Sequence, residues 1–176
     1  MLSVRITEKA RVVRLLALDV DGVLTDGRLY FTEDGQEIKT FDTQDGHGIK
    51  LLQNAGIQCA IITGRTTRLV ERRARNLGIV HLLQGREDKL VALMELSAQL
   101  NIPLEEMAYA GDDWPDLPAI RAAGLGVAVA NAHREVRRYA DFVTMAGGGR
   151  GAVREICDLI LEAQGRYDEA LTPYLE

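Results

Sequence analysis

Short apolar runs alternate with stretches of helical periodicity along most of the chain. Residues 12–20 are almost continuously apolar, as in a parallel strand buried on both faces. Residues 57–62, 107–110 and 126–130 form similar runs, and 79–83 and 142–144 form weaker ones. Between them the spacing predicts helices over 48–55, 67–77, 89–100, 116–123 and 151–163. Gly56, Gly78 and Gly124 follow three of these, at positions suited to a left-handed helix end. Strand–helix alternation predicts an α/β fold: a Rossmann-like open parallel sheet with helices on both faces.

One segment departs from this rhythm. Residues 28–32 and 37–41 read as two strands around Asp34-Gly35, a strong hairpin signal. No linker, repeat or low-complexity tract divides the chain, so its 176 residues are expected to form one domain, with a protruding hairpin at about 28–41 and a tail at about 165–176.

In such sheets ligands bind beyond the carboxyl ends of the strands. The first strand runs into Asp19-Val-Asp-Gly, the second into Thr63-Gly64-Arg65, and a later one into Gly111-Asp112-Asp113-Trp-Pro-Asp116. Lys89 opens a helix between the last two, although a cation in a first helical turn opposes the macrodipole. Alone, Asp-x-Asp-Gly is a common turn, Thr-Gly a common strand end, and Asp113 ahead of Pro115 an N-cap. Together they suit phosphoryl transfer. Magnesium takes one or two carboxylates plus phosphate and water, a role open to Asp19 and Asp112. Asp19 can attack phosphorus, and Asp21 can serve as acid and then base. Thr63, the backbone near Gly64 and Lys89 can hold the phosphoryl oxygens, and Asp116 as well as Asp112 remains free for the site.

Other features narrow the substrate. Asp45-Gly46-His47-Gly48 opens a helix with two glycines, suited either to close approach by an anionic ligand or to a flexible start. Arg65 could pair with a substrate carboxylate, and Arg86 is a weaker candidate. Arg68, Arg72 and Arg75 share a helical face and read as a solvated stripe. The glycine run 147–151 lacks the Lys-Ser/Thr of a P-loop and reads as a mobile loop.

Composition changes the picture mainly by exclusion. A net charge of −5 argues against a general nucleic-acid or anionic-membrane binder. No apolar stretch approaches the ~20 residues of a membrane span, and the first residues lack a signal core. Cys59 and Cys157 read as core residues, consistent with a reducing cytoplasm.

The segments Asp19-Val-Asp-Gly-Val, Ile62-Thr-Gly-Arg65, Lys89 and Gly111-Asp-Asp-Trp-Pro-Asp116 resemble the four motifs of the haloacid dehalogenase (HAD) superfamily of phosphatases. The hairpin, Asp45-Gly-His-Gly-Ile49 and Gly147-Gly-Gly-Arg-Gly-Ala-Val-Arg-Glu155 extend the likeness to its capless 3-deoxy-D-manno-octulosonate 8-phosphate phosphatases. That resemblance implies Mg2+ as cofactor, with Asp19, the Asp21 carbonyl and Asp112 as ligands and Asp116 or Asp113 in support. It implies a phosphorylated sugar acid as substrate, in lipopolysaccharide biosynthesis, and a homotetramer assembled through the hairpin. It also implies that the tail can reach a neighbouring site, although Thr172-Pro-Tyr-Leu-Glu176 matches nothing in the pattern. A nine-carbon sugar-acid phosphate is the alternative substrate. A phospho-receiver module would place its acceptor aspartate where Thr63-Gly64 stands, and a non-catalytic oligomerisation module would make the acidic cluster accidental.

Overall fold

The structure is a computed structural model that describes residues 4–175. Six strands form one parallel sheet: β1 (Leu15–Leu18), β4 (Gln58–Ile62), β5 (His81–Leu83), β6 (Met107–Gly111), β7 (Leu125–Ala128) and β8 (Phe142–Val143). Their spatial order is β5-β4-β1-β6-β7-β8. β1 is central, with Leu18 in register with Ile61 on one side and Ala110 on the other. All four β1 residues are buried, as the continuous apolar run requires. The chain winds outward from β1 through β4 to β5, then returns to β6 on β1's other side. The order therefore reverses between β1 and β6, and a crevice opens at their carboxyl ends.

Two groups of helices cover the sheet. In one, α2 (Thr43–Asn54) packs on α7 (Ala152–Ala163), with α1 (Val4–Arg11) beside α7 and α3 (Arg68–Leu77) beside α2. In the other, α4 (Lys89–Leu100), α5 (Leu117–Ala122) and α6 (Arg134–Tyr139) follow one another. A short α8 (Tyr167–Leu171) ends in a 3-10 turn at Thr172–Tyr174; the expected tail extends to Glu176, which lies outside the described residues, as do residues 1–3 of the expected domain. The hairpin is present as β2 (Tyr30–Phe31) and β3 (Glu37–Ile38), each shorter than its apolar pattern suggests. Gly35 turns it with φ +81° and donates its N–H to the Thr32 carbonyl at 2.9 Å.

Three expectations are corrected. α2 begins at Thr43 rather than 48, because the Asp42 carboxylate caps it, accepting from the backbone N–H groups of Gln44 and Asp45. Gly124 is not a left-handed cap; a Cβ there would overlap the Glu105 carbonyl, so close chain approach is what requires glycine. The glycine run 147–151 is held in place rather than loose. Gly149 N–H bonds the Val23 carbonyl at 2.9 Å, Gly148 N–H bonds Asn131 Oδ1 at 2.6 Å, and Glu155 accepts from the Met145 and Ala146 N–H groups.

Candidate active site

Asp19 follows β1 directly and is fixed through its backbone N–H to the Ala110 carbonyl at 3.0 Å. The chain then folds tightly, because Val20 O accepts from the N–H groups of Val23, Leu24 and Thr25. The buried Thr25 hydroxyl accepts from Gly22 and Gly27 N–H at 3.3 and 3.2 Å, closing the loop. Gly22 is required twice over. Its φ is +90°, and a Cβ would overlap the Asp112 carboxylate from the end of β6.

Behind Asp19 stands a buried charge cluster. Lys89 Nζ lies 2.8 Å from Asp19 Oδ1 and 3.0 Å from Asp116 Oδ1. Asp116 also accepts from the Tyr109 hydroxyl at 2.7 Å and from the backbone N–H groups of Asp112 and Asp113 at 3.0 and 3.2 Å. Its oxygens are thus committed to holding the loop and the lysine. Burial works against the Lys89 charge, but Asp19 and Asp116 outweigh it and keep the ammonium protonated. Burial and Asp116 push the Asp19 carboxyl up to about 7 against the pull of Lys89. Burial, Asp116 and Asp19 likewise raise Asp112 to about 7. One carboxylate oxygen from each of Asp19, Asp112 and Asp116 lies within 4.8 Å of the others. Three carboxylates facing one lysine leave unbalanced negative charge in an oxygen-only donor set, which fits a hard divalent cation.

A cavity of about 280 Å³ opens over these groups. Thr63, at the end of β4, lines it beside Gly64, where a Cβ would sit 2.5 Å from the Glu87 carboxylate. Asp21 lines it from the first loop. Its Oδ1 is ion-paired with Lys39, which lies just past β3, and its Oδ2 is 3.9 Å from Arg65. Glu37 completes the ring, 3.2 Å from Lys39 Nζ through Oε1 and 2.8 Å from Arg65 through Oε2.

A haloacid dehalogenase-like hydrolase family profile matches residues 77–152. The 3-deoxy-D-manno-octulosonate 8-phosphate phosphatase KdsC of Salmonella typhi is 52% identical over 168 residues, covering 96% of this chain and 89% of that protein. The chain belongs to this phosphatase family. Solved structures agree in fold. A probable YrbI family phosphatase from Pseudomonas syringae superposes with a TM-score of 0.97 at 58% identity, over 99% of both chains. The Moraxella catarrhalis family member, determined with magnesium, phosphate and a Kdo molecule, superposes with a TM-score of 0.94 at 47% identity, over 96% and 97% of the chains.

Of the expected site residues, the cavity brings together Asp19, Asp21, Thr63, Gly64, Arg65, Lys89, Asp112, Asp113 and Asp116. It does not bring in Asp45, Gly46, His47, Gly48 or Arg86. Asp45 is buried and accepts from Arg154 N–H at 2.8 Å, so it caps α7 from a neighbouring helix. A Cβ on Gly46 would overlap the Arg73 guanidinium, and one on Gly48 would lie 2.9 Å from Arg154 Cδ; both glycines serve close helix packing. His47 meets the Tyr174 ring edge-on at 5.4 Å. Arg86 turns away to Asp88 and Glu95 at 2.8 and 2.6 Å. Sequence reasoning missed Lys39, Glu37, Tyr109 and Thr25. Only the hairpin pair carried a signal, since Glu37 and Lys39 alternate with Ile38 and so share one face.

Proposed function

We propose that this chain is a magnesium-dependent phosphatase acting on 3-deoxy-D-manno-octulosonate 8-phosphate, releasing Kdo and inorganic phosphate. The observation that carries this reading is the placement of Asp19 and Asp112 at the ends of adjoining strands, with Lys89 from the start of α4 against Asp19, beneath a cavity that Thr63 and Asp21 also line. Asp19, Asp112 and the Asp21 carbonyl would hold Mg2+, which when bound supplies positive charge against the phosphoryl oxygens.

The chain's own groups perform the rest. Asp19 attacks phosphorus, and the P–O ester bond breaks as Asp21 gives its proton to the departing sugar oxygen. Lys89 and Thr63 hold the phosphoryl oxygens. Asp21 then takes a proton from water as the water attacks the aspartyl-phosphate, freeing phosphate and restoring Asp19. Lys89 bonds the attacking carboxylate and is in place to bond the transferring group, so no reorganisation is needed as charge moves. Asp116 fixes Lys89, and Asp113 helps to shape the metal loop.

The substrate rests on the relatives named for it and on Arg65, which lines the cavity, pairs with Glu37 through one guanidinium nitrogen and has donors to spare for a sugar carboxylate. We assign the chain, as one domain without a separate cap, to the cytoplasm. Its hairpin exposes Leu29 and Phe31 and, on the other face of the ribbon, Ile38, apolar groups suited to contacts with further copies in a homotetramer. The deciding experiment measures phosphate release, with and without Mg2+, across Kdo-8-phosphate, a nine-carbon sugar-acid 9-phosphate and generic phosphomonoesters. Preference for Kdo-8-phosphate, dependent on Mg2+ and abolished by Asp19→Asn, is expected. Preference for the nine-carbon compound reassigns the substrate, and equal rates on every ester overturn the specific reading.

A further inference from the structure

The ring Asp21–Lys39–Glu37–Arg65 joins three separate parts of the chain: the loop after β1, the hairpin and the loop after β4. Charge alternates around it, two carboxylates against two cations. Lys39 is its least exposed member, its side chain only 3% exposed although it directly follows a two-stranded ribbon in which Tyr30, Phe31 and Ile38 are open to solvent. Withdrawing an ammonium from water is costly, and such a group persists where opposite charges hold it. Both of its opposite charges are defined here. Glu37 is two residues earlier, on the same face of the strand, and Asp21 lies across the loop junction. A surface lysine serving solubility has no reason to be buried at this point.

We infer that Lys39 is a positioning residue for the phosphatase reaction, holding the Asp21 carboxyl in the orientation needed for proton transfer. The inference rests on the phosphatase reading proposed above. Lys39 takes Oδ1 of Asp21. Oδ2, which has only the more distant Arg65 at 3.9 Å, is the oxygen that takes up a proton and passes it to the departing ester oxygen as the Asp19–phosphorus bond forms and the P–O bond breaks. Without the ammonium, Asp21 can turn about its side-chain torsions, and a proton donor displaced by about 1 Å loses much of its effect. The hairpin is thereby tied to the chemistry as well as to the surface.

A displaced general acid has a kinetic signature that a loosened fold does not. Leaving groups that need a proton suffer, and those that depart unprotonated are spared. The test is kcat/KM on a series of substituted phenyl phosphates with Mg2+, for wild type, Lys39→Met and Lys39→Arg, alongside thermal melting. These esters carry no sugar, so lost sugar contacts do not enter. In Lys39→Met the advantage of 4-nitrophenyl over phenyl phosphate is expected to grow about tenfold, with Lys39→Arg restoring most of the wild-type ratio. A ratio unchanged within about twofold, or an equal loss on every ester, overturns the inference. If Lys39→Met loses its melting transition, Lys39→Gln is read against the same criteria. Wild-type turnover of the series, abolished by Asp19→Asn, separates this result from failure of the phosphatase reading, which would sink both.

Discussion

Three carboxylates, Asp19, Asp112 and Asp116, share one lysine, and burial makes their charge expensive. Asp19 and Asp112 are each raised from 3.8 to about 7, so between those values the folded chain binds more protons than the unfolded one. The metal-free protein therefore loses stability as pH rises through that window. Its melting temperature is expected to fall between about pH 4 and pH 7. Mg2+, which binds the deprotonated groups, is expected to raise it more at pH 8 than at pH 6. A metal effect that does not grow with pH would contradict the charge crowding. Gly22 gives a second test at this scale. Gly22→Ala forces an L residue to φ +90° and drives Cβ into the Asp112 carboxylate, with an expected cost of ~2–4 kcal/mol in thermal unfolding and loss of phosphate release. Asp19, Thr63, Lys89 and Asp112 were legible because each sits where a strand or helix boundary can be read from the chain. Tyr109 and Thr25 were not, because their roles depend on what the fold brings near them, the Asp116 carboxylate for Tyr109 and the Gly22 and Gly27 N–H groups for Thr25.

Among the elements, α2 shows how local reading misleads. Asp45-Gly-His-Gly looks like a ligand-binding helix start, yet the structure uses its glycines to admit Arg73 and Arg154 and its aspartate to cap α7. Nothing within α2 names those partners, since Arg73 belongs to α3 and Arg154, in α7, stands 109 residues from Asp45. Burial raises the Asp45 carboxyl to about 6, against the bonds from the α7 backbone that favour its charge. Its ionised form thus weakens folding above the unfolded value of 3.8, increasingly up to about pH 6. Asp45→Asn keeps an acceptor for Arg154 N–H and removes that charge. Relative to wild type, its stability is expected to improve by roughly 1–3 kcal/mol between pH 4 and pH 7, then stay level. Urea unfolding at several pH values measures this, and a constant difference would rule it out. The four inner strands β4, β1, β6 and β7 were legible because they are almost wholly buried and apolar on both faces, while the edge strands β5 and β8 left weaker runs. α6 escaped notice because Val136 is its one buried residue, too little for a periodic signal.

At the scale of the whole molecule, the open question is what covers the hairpin. Glu37 and Lys39 bind it to the site, while Leu29, Phe31 and Ile38 remain 54%, 61% and 49% exposed. A two-stranded ribbon is marginal alone in water, and apolar groups gathered on one are a surface for another chain. The occupant proposed above is the same hairpin from further copies, which closes an assembly by symmetry. Light scattering is then expected to give about four times the 19.4 kDa chain mass. The double variant Leu29→Glu/Phe31→Glu places charge at that contact, where unpaired burial is costly, and is expected to yield smaller species. If neighbouring copies also complete the cavity, kcat/KM on Kdo-8-phosphate falls far more than on a small phenyl phosphate, which needs only the groups around Asp19. A double variant that stays at full mass would place the contact elsewhere. One that dissociates yet keeps its preference for Kdo-8-phosphate would confine the hairpin's part in catalysis to its own subunit, through Lys39.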